Sequence, residues 1–136
     1  MKLDQTTSAD MHVKLTVEKS CKFSVDDMDF GSHASDSGEI DVATNANITC
    51  TTGTAYSISS ASNHDYSMKN KDASEEVAYA LYGDDSRSQE LSTTSLAETG
   101  TGTVQNIPIY GKVTADALSQ APAGDYTDTV TLTVTY

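Results

Sequence analysis

A chain of 136 residues fits one domain, and 37% hydrophobic residues, no tryptophan, seven tyrosines and many threonines suit a β-rich protein better than a helical one. The formal net charge of −12 would repel nucleic-acid phosphates and anionic lipid headgroups, so neither is expected as a partner. No window approaches the roughly 20 apolar residues of a membrane span, so direct membrane insertion is not expected either.

After Met1-Lys2 the chain turns polar at once, which does not read as a signal peptide; for an exported protein this would be the mature form. From residue 3 to 17 the odd positions carry Leu3, Ala9, Met11, Val13, Leu15 and Val17 among weaker side chains, while the even positions are all polar. Such period-two alternation, sharpest from Ala9, predicts a strand with one face meant for burial. Lys2, Lys14 and Lys19 balance Asp4, Asp10 and Glu18, so this arm is neutral and the body carries the whole −12. Two readings stand for it: a strand of the chain's own core, or one that fills another molecule.

Residues 22–30 predict a second extended stretch through Phe23, Val25, Met28 and Phe30, with a kink where the apolar parity shifts across Asp26-Asp27. A polar loop to Gly38 leads into a long strand over 39–50, with Ile40, Val42, Ala46, Ile48 and Cys50 on one parity. A tight turn at Gly53 enters a strand over 55–60 with Tyr56 and Ile58 inward. Residues 59–73 read as a loop with a short strand at 66–69. Val77 to Tyr82, apolar on both parities, predict a mid-sheet strand that ends at Gly83-Asp84-Asp85.

Residues 86–103 predict a long loop over a sheet edge, with a short strand near 90–93. A strand resumes over 104–114, where Pro108 implies an edge or a bulge, and 116–124 read as loop. The last strand is the cleanest: Tyr126, Val130, Leu132, Val134 and Tyr136 share one face and five threonines the other. No helical periodicity of useful length is present. The body thus has six substantial strands, where an immunoglobulin-like sandwich of the constant type has seven; the arm is the candidate for the missing one.

Two cysteines, Cys21 and Cys50, without a CxxC pair make a poor metal or redox site. They read as one disulfide, worth about 3 to 4 kcal/mol in the chain-entropy model, in an oxidising compartment, or as two buried free thiols in a cytosolic protein. His12, His33 and His64 show no metal-ligand spacing and read as solvated side chains. Asp26-Asp27 and Asp84-Asp85 read as solvated turn charges, since neither matches a calcium loop. No nucleophile elbow is present, Gly100-Thr101-Gly102 is too short for a phosphate loop, and the sequon at Asn47 reads as incidental. Nothing points to an enzyme, a catalytic residue, a metal or a cofactor.

The ordered set CKFSVDDMDFG (21–31), ITCTTGTAY (48–56), Met68, YALY (79–82), IPIYG (107–111) and GDYTDTVTLTVTY (124–136) resembles the spore coat protein U domain family, which includes the pilins of archaic chaperone-usher pili. The Trp-Gly often found after the YALY strand is missing, with Gln89-Glu90-Leu91 in its region. The resemblance implies an all-β fold: an incomplete immunoglobulin-like β-sandwich of six own strands, completed by a donor strand from a neighbouring subunit. It divides the chain into a donor arm over 1–18 and a pilin domain over 19–136. It implies a Cys21–Cys50 disulfide, a donor strand of Ala9, Met11, Val13, Leu15 and Val17, and an acceptor-groove edge of Phe23, Val25, Val130, Leu132, Val134 and Tyr136. The partners it implies are identical or related pilin subunits, a periplasmic chaperone and an outer-membrane usher. The fibre would stand outside the cell, reached through the periplasm, and support adhesion and biofilm formation; a single domain with an arm points to a shaft or minor subunit. The competing expectations are a spore-coat structural protein and a secreted monomeric binding module whose arm closes its own sandwich.

Overall fold

In the computed structural model, which describes residues 2–136, regular structure begins only at Cys21. Met1, part of the 1–18 division, lies outside the described residues. In chain order the elements are β1 (Cys21–Val25), β2 (Ile40–Cys50), β3 (Ala55–Ser60), β4 (Ser67–Asn70), β5 (Glu76–Ala78), β6 (Ala80–Tyr82), β7 (Leu96–Thr99), β8 (Gln105–Val113), α1 (Ala115–Ser119), β9 (Tyr126–Thr127) and β10 (Leu132–Thr135). The strands form an antiparallel, immunoglobulin-like β-sandwich with sheet orders β1-β2-β8-β6, β10-β3-β7 and a small β5-β4-β9.

The frame is the β2–β8 pair, in register from Ile40 opposite Val113 to Ile48 opposite Gln105. Alternation sets its faces: Ile40, Ala46, Ile48 and Cys50 are buried while Asp41, Ala43 and Asn45 face solvent. Across the sandwich Tyr56 and Ile58 of β3 meet Ile48 and Cys50, and the Tyr56 hydroxyl donates to Gln105 Oε1 at 2.9 Å. A second cluster joins Ala46, Leu81, Leu91 and Ile109, and a third joins Ile40, Val77 and Val113. Half-buried Phe23, Met28, Tyr79, Val130 and Leu132 flank the second cluster, so the core is open along one side.

Six substantial body strands were expected; among the described residues ten form, two of them added because the chain changes sheets within stretches that read as single strands, the others being β4, the short strand expected near 66–69, and β7. The expected mid-sheet strand over 77–82 is two edge strands, β5 pairing β4 and β6 pairing β8. Tyr79 sits at the switch, its N–H donating to Tyr66 O at 3.0 Å and its ring packing edge-on to that of Tyr66. The C-terminal strand divides likewise, β9 pairing β4 and β10 pairing β3, with residues 128–131 outside any ladder.

The short strand expected near 90–93 is a single bridge between Glu90 and Tyr82, followed by a turn in which Thr93 and Thr94 donate to Glu90 O. The strand of that region is β7, in residues expected as loop, with Leu96 packing inward. Where loop was expected after residue 114, α1 forms. Thr114 caps it by accepting from Ala117 N at 3.2 Å, and Ala117 and Leu118 pack on the Val77 and Val113 cluster. Pro108 lies within an inner strand, yet β6 ends at Tyr82 opposite Tyr110, so no strand flanks Pro108 on that side and its missing N–H costs no ladder bond.

Candidate functional site

The sandwich has two unfinished edges that face one groove. β1 pairs β2 alone and β10 pairs β3 alone, so among the described residues each leaves its outer edge without a strand. Past Val25 the chain keeps one bond, Asp26 N–H to Asn45 O at 3.0 Å, and then bends away as Thr44 Oγ1 donates to Asp27 O at 2.9 Å. The bend is the kink read from Asp26-Asp27, and it swings Met28 and Phe30 over the inner face of β8.

The groove measures about 1280 Å³. Val25, Met28 and Phe30 form one wall, Leu81 and Ile109 lie at the floor, and Val130 and Leu132 form the opposite wall. Of the residues expected at this edge, Val25, Val130 and Leu132 line the groove. Val134 packs instead into the adjoining core around Ile48, Cys50, Tyr56 and Ile58, Phe23 packs on both that core and the Leu81 and Ile109 cluster without lining the groove, and Tyr136 is exposed at the chain end. Met28, Phe30, Leu81 and Ile109 were missed as groove residues; the signal for the first two lay in the parity shift.

Residues 2–20 form no strand and lie exposed throughout, Ala9 included. Met11, Val13, Leu15 and Val17 are 83%, 85%, 84% and 72% exposed, so the alternating apolar face is not used by the chain's own body. The expectation that the arm closes its own sandwich is therefore not met. The arm joins the body at Ser20, whose N–H donates to Thr51 Oγ1 at 3.0 Å and whose carbonyl accepts from Thr51 N–H at 2.9 Å. One residue later Cys21 is disulfide-bonded to Cys50, its cross-strand neighbour; neither is a free thiol.

A polar cluster borders the far wall. Asp128 Oδ2 accepts from the Tyr79 hydroxyl at 2.5 Å and lies 2.7 Å from His64 Nε2. His64 thus departs from the expected free histidine: its side chain is 25% exposed and paired. Burial pushes the Asp128 carboxyl up, but hydrogen bonds from Tyr79 and His64 and the charge of His64 outweigh it and leave the group below the usual carboxylate range. Tyr79 is pushed well above the ordinary phenol range, by burial first and then by the hydrogen bond that its hydroxyl donates to the Asp128 carboxylate. Asp84 is held low by Ser86, Ser88 and Gln89, which donate to it in an exposed turn. Among the described residues no group of three His, Cys, Asp or Glu side chains is placed to hold a metal ion, and no helix is long and apolar enough to cross a membrane.

No curated protein matches the chain. Ten chains of solved structures do. One belongs to the crystal structure of the CsuC–CsuE chaperone–tip adhesion subunit pre-assembly complex from archaic chaperone-usher Csu pili of Acinetobacter baumannii, which aligns over 89% of this chain with a TM-score of 0.66 and 21% identity. The alignment spans 41% of that longer chain, and at this identity the likeness is one of fold. The sequence model of the Spore Coat Protein U domain matches residues 7–133, from within the arm to within β10. With the match running across both the groove and the segment that leads into it, the chain belongs to the spore coat protein U domain family.

Proposed function

We propose that this chain is a structural subunit of an archaic chaperone-usher pilus, polymerised by donor-strand exchange, with residues 1–18 as the donor arm and 19–136 as the acceptor domain. The observation that carries the reading is the coexistence, in one chain, of an exposed alternating arm and a groove with an apolar floor at Leu81 and Ile109, flanked by two unpaired strand edges. A strand laid in such a groove gains main-chain hydrogen bonds from the edges and side-chain burial from the floor. At about 1.5 to 3 kcal/mol per large apolar side chain, Met11, Val13, Leu15 and Val17 would contribute roughly 6 to 12 kcal/mol. That is comparable to the whole stability of a typical domain, about 5 to 15 kcal/mol.

In this reading Ala9, Met11, Val13, Leu15 and Val17 enter the groove of the next subunit beside Val25, Val130 and Leu132. Phe23, Val134 and Tyr136 extend the two edges. A periplasmic chaperone lends a strand first, exchange occurs at an outer-membrane usher, and the product is an extracellular fibre that serves adhesion and biofilm formation. The disulfide supports passage through an oxidising compartment. The test is a chain lacking residues 1–17, which should accept an arm and be unable to donate one. Polymers of wild-type length from that truncation alone would sink the proposal.

A further inference from the structure

The far wall of the groove has a weak point. Residues 128–130 lie between β9 and β10, and among the described residues none of them makes a backbone hydrogen bond to another element. The nearest backbone anchors are the end of the β9–β4 ladder, where Thr127 lies opposite Lys69, and Thr131 O, which accepts from Ala61 N–H at 3.2 Å. Between them Val130 is the half-buried apolar residue that this stretch turns toward the groove.

What holds the stretch is the side chain of Asp128, 14% exposed, whose Oδ2 takes both Tyr79 and His64. The two donors come from separate parts of the fold, Tyr79 from the β5–β6 switch and His64 from the turn after β3. Both are braced by Tyr66, whose ring lies edge-on to each and whose hydroxyl donates to Ala61 O at 2.6 Å. A carboxylate that is largely buried and bonded to two donors is a strong local tie.

Resting on the donor-strand reading above, we infer that Asp128 is a positioning residue for strand capture: its bonds to Tyr79 and His64 hold the 128–130 wall of the empty groove in the form that an arriving arm can pair with. Once an arm lies in the groove, its own backbone takes over those N–H and C=O groups of the wall that make no bond to another element, the Thr129 N–H being already turned to the Asp128 carboxylate. The tie then matters before capture and much less after it, which separates this role from general stabilisation. A preformed wall spares the arriving strand the cost of ordering it.

The test uses the full-length chain and a labelled synthetic peptide of residues 3–17 as probe, with association and dissociation rates measured separately. Asp128→Asn should slow association by about tenfold, the worth of one charge-assisted hydrogen bond, and leave dissociation within about twofold. Tyr79→Phe and His64→Leu, which each remove one donor and keep the other, should show the same split to a smaller degree and serve where Asp128→Asn folds poorly. Lys112→Gln, at the Lys112–Glu39 ion pair away from the groove, is the control and should bind as wild type. Unchanged association in all three variants, or a loss confined to dissociation, overturns the role of Asp128 while leaving donor-strand capture standing. A peptide that does not enter the wild-type chain overturns both.

Discussion

Met28 lies directly on Gly111: the sulfur occupies the space that a Cβ at position 111 would need, and Phe30 Cζ would stand 3.0 Å from it. Gly111 is buried mid-strand in β8, opposite Val42, and its carbonyl accepts from Arg87 Nε at 3.2 Å. The wall thus closes on the strand through the mobile end of Met28 and the rim of the Phe30 ring. Gly111→Ala should push Met28 off the sheet and cost about 1 to 3 kcal/mol, the usual range for overpacking. Urea unfolding at fixed m value would report it, and an unchanged midpoint would show that the wall yields freely.

Asp128 titrates below the ordinary carboxylate range in the folded chain, so folding favours its ionised form. Its contribution is therefore complete above the unfolded carboxylate pKa of about 3.9 and is lost as pH falls through the lower folded value. Wild type should lose stability faster than Asp128→Asn on acidification below about pH 4. Parallel stability curves for the two proteins down to pH 2 would show that the tie makes no difference.

Val13→Asp and Leu15→Asp should leave the free chain's unfolding midpoint within about 0.5 kcal/mol of wild type, because both side chains are exposed there. The same changes should abolish the boil-sensitive ladder that a donor-strand polymer would give on denaturing gels, since a carboxylate would have to sit against the apolar floor of the groove. A ladder that persists in both variants would mean that this face of the arm is not what binds.

The arm is neutral and the body carries the whole formal charge of −12, so in the proposed exchange two bodies would repel as an arm docks. Raising ionic strength from about 0.01 M to 0.15 M shortens the screening length from about 30 Å to about 8 Å. Assembly should speed up over that range. A rate that stays flat would remove body–body repulsion from the docking step.

Much of the fold was legible because period-two alternation is a direct record of burial. β2 and β3 follow from Ile40, Ala46, Ile48, Tyr56 and Ile58, and the arm from Met11 to Val17. Alternation states which face is buried and is silent on which strand lies alongside. The sheet changes at Tyr79 and at residues 128–131 therefore left no trace, since each preserves the parity around it. α1 has five residues, too few to show a period, and β7 is a short edge strand with little apolar content.

The site was legible in outline for a similar reason. Val25 and Leu132 sit on strands whose faces could be read and Val130 shares the parity of Leu132, whereas placing Met28 and Phe30 needed the partner Gly111, more than 80 residues on. The pairing of His64 with Asp128 spans 64 residues, and no local pattern foretells it.

The covalent joint at the arm's root has a mechanical meaning in a fibre built as proposed. Pull on such a fibre runs along each arm and enters the body at Ser20 and Cys21. There the disulfide hands the load to Cys50, at the end of β2, the strand flanked on both sides by β1 and β8. Tension in such a fibre would then be borne in shear along paired strands instead of peeling β1 from its edge.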